Sequence, residues 1–160
     1  MMNILFVCLG NICRSPMAET IFNTLLAEKN LSKKYEIDSA GLDNYHEGEL
    51  ADPRMRRHAE QHGYHLTHRS RPVTHNDFDH FDLILGMDPA NIRTLLNRAT
   101  DINRHKIKLL GDFCLTKTVA TIPDPYLGND KDFEYVITVL EDACEGLLFK
   151  IESDSKHTGS

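Results

Sequence analysis

The run ILFVC, residues 4–8, constrains this chain more than any other stretch: five apolar residues without alternation, followed at once by the turn-forming LGN. Such a run suits a strand buried on both faces, as in a parallel sheet covered by helices on each side. A helix is expected next, from about Ser15 to Lys29, because Met17, Ile21, Phe22, Leu25 and Leu26 recur at helical spacing. The alternation then repeats. YEIDSA reads as a short strand, and ADPRMRRHAEQHG as a helix with Asp52 as N-cap, Pro53 in its first turn and Gly63 as its stop. FDLILGM reads as a third strand, MDPANIRTLLNRA as a second Asp-Pro helix and KIKLL as a fourth strand. A last helix, near Lys131 to Ile151, gathers Phe133, Val136, Ile137, Leu140, Ala143, Cys144, Leu147 and Leu148 on one face. Strand and helix in alternation define an α/β fold with a parallel sheet. Residues 1–151 are read as one domain, and the polar segment 152–160 as a disordered tail.

Composition narrows the function classes. With 160 residues, 41% of them hydrophobic, the chain has the size of a single globular domain. Its net charge of -6, without a long basic run, argues against a nucleic-acid partner. The apolar run at the N-terminus is too short to span a membrane and lacks the flanks of a signal peptide. Cys8, Cys13, Cys114 and Cys144 form no CxxC pair and no zinc spacing with histidines, so a reducing compartment, the cytoplasm, is expected. His58 and His62 stand four apart, as zinc pairs can, but without an HExxH pattern they read as solvated helix residues.

The chemistry gathers in CLGNICRS, residues 8–15, at the first strand-to-helix turn, the usual phosphate position of such sheets. Leu9, Gly10, Asn11, Ile12, Cys13 and Ser15 can turn successive backbone N–H groups inward, Gly10 and Asn11 being types that tolerate left-handed geometry. Arg14 returns over this cradle, where its planar fork can hold two oxygens of a tetrahedral anion. Cys8 lies at the centre of the donors and at the positive end of a helix, a setting that favours the nucleophilic thiolate. Cys-x5-Arg by itself is a weak signal, but the residue six positions after each other cysteine is Glu19, Ala120 or Lys150. A Walker loop, GxxxxGK[ST], is absent, so the loop suits one phosphate rather than three. Thiolate attack on a phosphate ester needs an acid for the departing oxygen. Asp124, between Pro123 and Pro125, is stiffly placed to supply it, and a mildly acidic pH optimum is expected.

Taken in order, CLGNICRS, SAG, HRSRPV, ILGMD and PDPY resemble the low-molecular-weight protein tyrosine phosphatase family over about residues 2 to 150. The resemblance implies a four-stranded parallel sheet flanked by helices and no metal or cofactor. It implies Cys8 as nucleophile, Arg14 as phosphate clamp, and Asp124 as acid and then as base for the hydrolytic water. By the same resemblance Ser15 would hydrogen-bond the thiolate, Asn11, Ser39 and His68 would tie the loop into shape, and Asp88 would start the helix behind the site. Tyr45 and Tyr126 match the aromatic walls that would sandwich a phenyl ring above Ile12. Phosphotyrosine proteins or peptides are the implied substrates, with phosphate or another oxyanion in the loop, on a monomer or weak dimer. The chain departs from the family pattern at Leu127, Leu42 and Glu47; Glu47 is expected near the pocket rim, where it would discourage very acidic phosphopeptides.

Three other readings compete. An arginine phosphatase of this scaffold would carry Thr in place of Ile12, and apolar Ile12 suits a phenyl ring better than a guanidinium. An arsenate reductase needs relay cysteines where this chain reads FDLILGMDPANIRTLLN. A non-hydrolysing phosphotyrosine binder has no need of Cys8, Arg14 and Asp124 together. Cys13 has two readings, a small residue filling the underside of the loop or a partner that pairs with Cys8 under oxidation.

Overall fold

The computed structural model describes residues 1–157. Four strands, β1 (Met2–Cys8), β2 (Tyr35–Gly41), β3 (Leu83–Gly86) and β4 (Ile107–Leu109), form one sheet in the order β2-β1-β3-β4. All neighbouring pairs are parallel. The helices are α1 (Arg14–Glu28), α2 (Pro53–Gln61), α3 (His75–His80), α4 (Pro89–Arg98) and α5 (Asp130–His157). The expected four-stranded parallel sheet flanked by helices is therefore the observed fold.

The apolar run of β1 works on both faces, since successive side chains of a strand point to opposite sides. Ile4, Phe6 and Cys8 join the core formed with α1 and α5, including Met17, Phe22, Phe133 and Leu140. Leu5 and Val7 join the second core, with Phe78 of α3, Ile84 of β3 and Leu95 of α4. The two Asp-Pro helices start as expected. Asp52 accepts from the Arg54 backbone N–H at 2.8 Å, and Asp88 from that of Asn91 at 2.8 Å.

Topology places the site. From β1 the chain builds β2 on one side and β3 and β4 on the other, so a crevice opens beyond the carboxyl end of β1. Cys8 stands there, in register with Gly41. A Cβ on Gly41 would lie 3.1 Å from Leu9 O and from Gly10 C, so the loop after β1 is seated directly on a residue without a side chain.

Helix α3 leaves no periodic trace in the sequence: HNDFDH is six residues without an apolar stripe, held by a capping box between Thr74 and Asp77. Two expectations need correction. The tail does not begin at residue 152, because α5 continues to His157. Ile151 packs against the main core and Tyr35 Oη donates to Glu152, which anchors this polar stretch as helix. The part of the expected tail formed by residues 158–160 lies outside the described residues. Finally, His58 is buried rather than solvated: its ring nitrogens lie 2.7 Å from Glu134 Oε2 and 3.0 Å from Asp130 Oδ1, and it stacks on Phe133. His62 reaches the other oxygen of Glu134 at 2.7 Å, so the pair ties α2 to α5. Among the described residues, no helix is long and apolar enough to cross a membrane.

Candidate active site

Cys8 ends β1 with 3% of its surface exposed, and α1 begins at Arg14, so the loop between them folds back over the sulfur. Ser15 meets Cys8 Sγ twice, its Oγ at 2.9 Å and its backbone N–H at 3.4 Å. Asn11 sets the loop's shape. Its φ of 56° is the left-handed conformation that Asn tolerates, and its side chain is wholly engaged. Asn11 Nδ2 donates to Ser15 Oγ at 2.7 Å and to Ser39 Oγ at 3.1 Å, while Oδ1 accepts from the Arg71 backbone N–H at 3.1 Å.

These contacts fix proton directions. A backbone N–H can only donate, so the Asn11 atom facing Arg71 is the oxygen. His68 Nε2, 2.9 Å from the same oxygen, must then carry its proton. Because Ser15 Oγ already accepts from Asn11, its own proton is available to Cys8 Sγ. A directed chain therefore runs from His68 through Asn11 and Ser15 to the sulfur. Burial lowers the pKa of His68, which favours the neutral ring with one proton on Nε2.

Arg14 is equally constrained. With 3% of its side chain exposed, it donates from Nη1 to Asp88 Oδ2 at 2.7 Å and to the Ile122 carbonyl at 2.9 Å. Asp88 thus does two things, capping α4 with one oxygen and holding the guanidinium with the other. Arg14 Nη2 lies 3.8 Å from Asp124 Oδ2. The other Asp124 oxygen accepts from the Tyr126 N–H at 3.1 Å, which turns the carboxyl toward the cavity.

The cavity measures about 430 Å³ and opens over Cys8, Ile12, Cys13 and Arg14, with Asp124, Tyr45 and Tyr126 on its rim. Every expected catalytic and pocket residue therefore lines one space. Ser39, His68 and Asp88 stand behind it through the contacts above. Tyr45 is 81% exposed and Tyr126 40%, so both walls are open to solvent. Of the three departures, Leu127 lines the cavity mouth, whereas Leu42 is buried in the second core. Glu47 does not line the cavity; the acidic residue that lines it besides Asp124 is Asp43.

Several contributors were not legible. His46 forms a further wall, its ring centroid 4.8 Å from that of Tyr45 and 6.1 Å from that of Tyr126. It is recognisable only once the loop is folded against Gly10. Arg54 pairs with Asp52 at 3.0 Å and donates to the Tyr126 carbonyl at 2.7 Å, joining α2 to the segment that carries Asp124. Ser39 Oγ donates to Glu19 Oε1 at 2.6 Å, and Arg71 bridges Asp38 and Asp77. Burial pushes the Glu19 carboxyl up to about 7. Cys13 is buried beside Cys8; burial first, then the charges of Asp52, Cys8 and Asp124, push its thiol pKa up, so it stays protonated.

The sequence matches the description "low molecular weight phosphotyrosine protein phosphatase" over residues 3–157. Proteins of that name from Rattus norvegicus and Sus scrofa are 42% and 41% identical to it, covering 92% and 93% of this chain and 94% and 95% of their own. A crystal structure of a protein tyrosine phosphatase from Entamoeba histolytica, with Hepes in the active site, superposes with a TM-score of 0.94 at 46% identity, covering 97% of this chain and 99% of that one. With that match over nearly its whole length, the chain belongs to the low molecular weight phosphotyrosine protein phosphatase family.

Proposed function

We propose that this protein hydrolyses phosphotyrosine in proteins or peptides, and small aryl phosphates, through a cysteinyl-phosphate intermediate. The observation that carries the reading is the convergence of Cys8, Arg14 and Asp124 on one cavity behind an apolar, tyrosine-rimmed mouth. The phosphoryl group seats in the loop of residues 9–15, and Cys8 Sγ attacks phosphorus in line with the ester oxygen. The Ser15 hydroxyl and N–H donate to the attacking sulfur and hold it in place. Arg14, held on its Nη1 side, presents the rest of its fork to the equatorial oxygens as charge develops there. Asp124 protonates the departing phenolic oxygen, then takes a proton from the water that releases phosphate from sulfur. The scheme uses no metal or cofactor. The substrate ring lies over Ile12 between Tyr45 and Tyr126.

Asp124→Asn is expected to lower kcat on phosphotyrosine by ~10²–10³-fold. The loss on p-nitrophenyl phosphate is smaller, because its leaving group needs less help. Measuring both substrates and phosphoarginine across about pH 4 to 8 also tests the specificity reading. Turnover of phosphoarginine above that of phosphotyrosine assigns the protein to arginine dephosphorylation instead. Wild-type turnover in Asp124→Asn places the acid elsewhere.

The proposed setting is the cytoplasm, as a monomer or weak dimer acting on phosphoproteins without nucleic acid or membrane; four free cysteines support it. There Cys13 guards the nucleophile. Peroxide converts the Cys8 thiolate to sulfenic acid, and the Cys13 sulfur displaces water from it to give a disulfide that a thiol reductant reopens. Cys13→Ser should therefore lose activity irreversibly under peroxide, whereas dithiothreitol restores the wild type. Equal recovery of both proteins rules the guard out.

A further inference from the structure

Behind the loop, and outside the cavity, three potential ligand atoms face one another. His68 Nδ1 lies 3.3 Å from Glu19 Oε1 and 3.6 Å from Asp38 Oδ1, and all three atoms fall within 4.8 Å of one another. Bond lengths of about 2.0–2.1 Å at a tetrahedral zinc ion give ligand-to-ligand edges of ~3.3 Å, so the two measured edges already match. The three come from different elements, Glu19 from α1, Asp38 from β2 and His68 from the segment after α2, so no local turn accounts for the grouping.

The surroundings are those of a ligand set. His68 Nε2 donates to Asn11 Oδ1, which leaves Nδ1 as the ring nitrogen that faces the carboxylates. A metal-bound imidazole ordinarily donates its other N–H in this way. Ser39 supports both acids, with Oγ donating to Glu19 Oε1 at 2.6 Å and N–H to Asp38 Oδ1 at 2.8 Å. Arg71 neutralises the other Asp38 oxygen and Asp77, leaving Oδ1 for the cluster. The side chains of Glu19, His68 and Asp38 are 16%, 12% and 33% exposed, enough for an ion and a completing water to enter.

We propose that Glu19, Asp38 and His68 form a binding site for a zinc-class divalent cation, coupled to the catalytic loop through the hydrogen bond from His68 to Asn11. The ion takes no part in the reaction. It acts from behind, by fixing or shifting the imidazole that orients Asn11 and Ser15. Inhibition by such an ion is then noncompetitive, since the site is separate from the phosphate cradle.

The test titrates Zn²⁺ calorimetrically into Cys8→Ser protein, so that the active-site thiolate cannot be the ligand. One ion per chain is expected, with affinity at least ~10-fold weaker when Glu19→Gln or Asp38→Asn is added. Both replacements keep a carbonyl oxygen for the Ser39 donor. Nitrogen NMR of the same Cys8→Ser protein locates the ion without further mutation: Zn²⁺ should move the His68 Nδ1 resonance and leave Nε2 protonated. With wild-type enzyme, Zn²⁺ should lower kcat on p-nitrophenyl phosphate without raising KM. Absence of binding, unchanged affinity in both variants, a shift confined to His58 or His62, or inhibition competitive with inorganic phosphate each overturns the proposal.

Discussion

Cys8→Ser abolishes turnover of p-nitrophenyl phosphate and phosphotyrosine, by ~10⁴-fold or more, while the folded protein still binds phosphate. The sulfur has no substitute. A serine hydroxyl remains protonated at neutral pH, and among the described residues the hydrogen-bond contacts of that atom are the hydroxyl and N–H of Ser15, both placed to donate. Those donors suit an anion already formed and do nothing to remove a proton from an alcohol. The fold should tolerate the exchange, because oxygen is smaller than sulfur and accepts the same two hydrogen bonds at the end of a fully paired strand. Thermal unfolding with and without phosphate separates the alternatives. A ligand-induced rise in Tm retained by the variant, together with lost turnover, assigns Cys8 to chemistry. Lost turnover with a lost rise means that the loop itself has collapsed, and retained turnover means that another group attacks.

What could be read from the residues follows from range. The strand ILFVC and the helix behind it are legible because a strand buried on both faces leaves no alternation and an amphipathic helix leaves a regular one. Asp52 and Asp88 are legible because a cap acts within three residues of itself. Contacts that bridge distant segments leave no such trace. Asn11 meets Arg71 and His68 about sixty positions on, and Tyr35 stabilises Glu152 at the far end of the chain. The likeness of short motifs to a family supplied Asn11, Ser39 and His68, but neither it nor periodicity pointed to Arg54, His46 or Glu19. The loop between β2 and α2 shows the limit most clearly. Two acids four positions apart, Asp43 and Glu47, look equally suited to a pocket rim, and only the turn through Asn44 to Glu47 decides that Asp43 lines it.

Arg14→Lys is the substitution that separates charge from shape. It keeps the positive charge next to Asp88, so a purely electrostatic role predicts a modest effect. The geometry predicts a large one. Arginine divides its donors, giving Nη1 to Asp88 Oδ2 and the Ile122 carbonyl while Nη2 stays on the cavity side, 3.8 Å from Asp124. One ammonium cannot occupy both places. If it stays with Asp88, the equatorial phosphoryl oxygens lose a bidentate partner; if it swings to the anion, Asp88 and Ile122 O lose theirs in a buried setting. Either way kcat should fall ~10³-fold, about 4 kcal/mol of transition-state stabilisation. Asp88→Asn supplies the comparison, because asparagine caps a helix as well as aspartate and so leaves α4 intact. Without its carboxylate the guanidinium keeps the Ile122 carbonyl and its charge, and only its aim loosens; a fall of ~10-fold is expected. Steady-state kinetics on p-nitrophenyl phosphate give both numbers, and phosphate inhibition constants show whether anion binding falls in parallel. An Arg14→Lys enzyme within tenfold of wild type shows that the fork is dispensable. The loop would then stabilise the transition state through its backbone and a diffuse positive charge, and the Asp88 contact would serve only to bury Arg14.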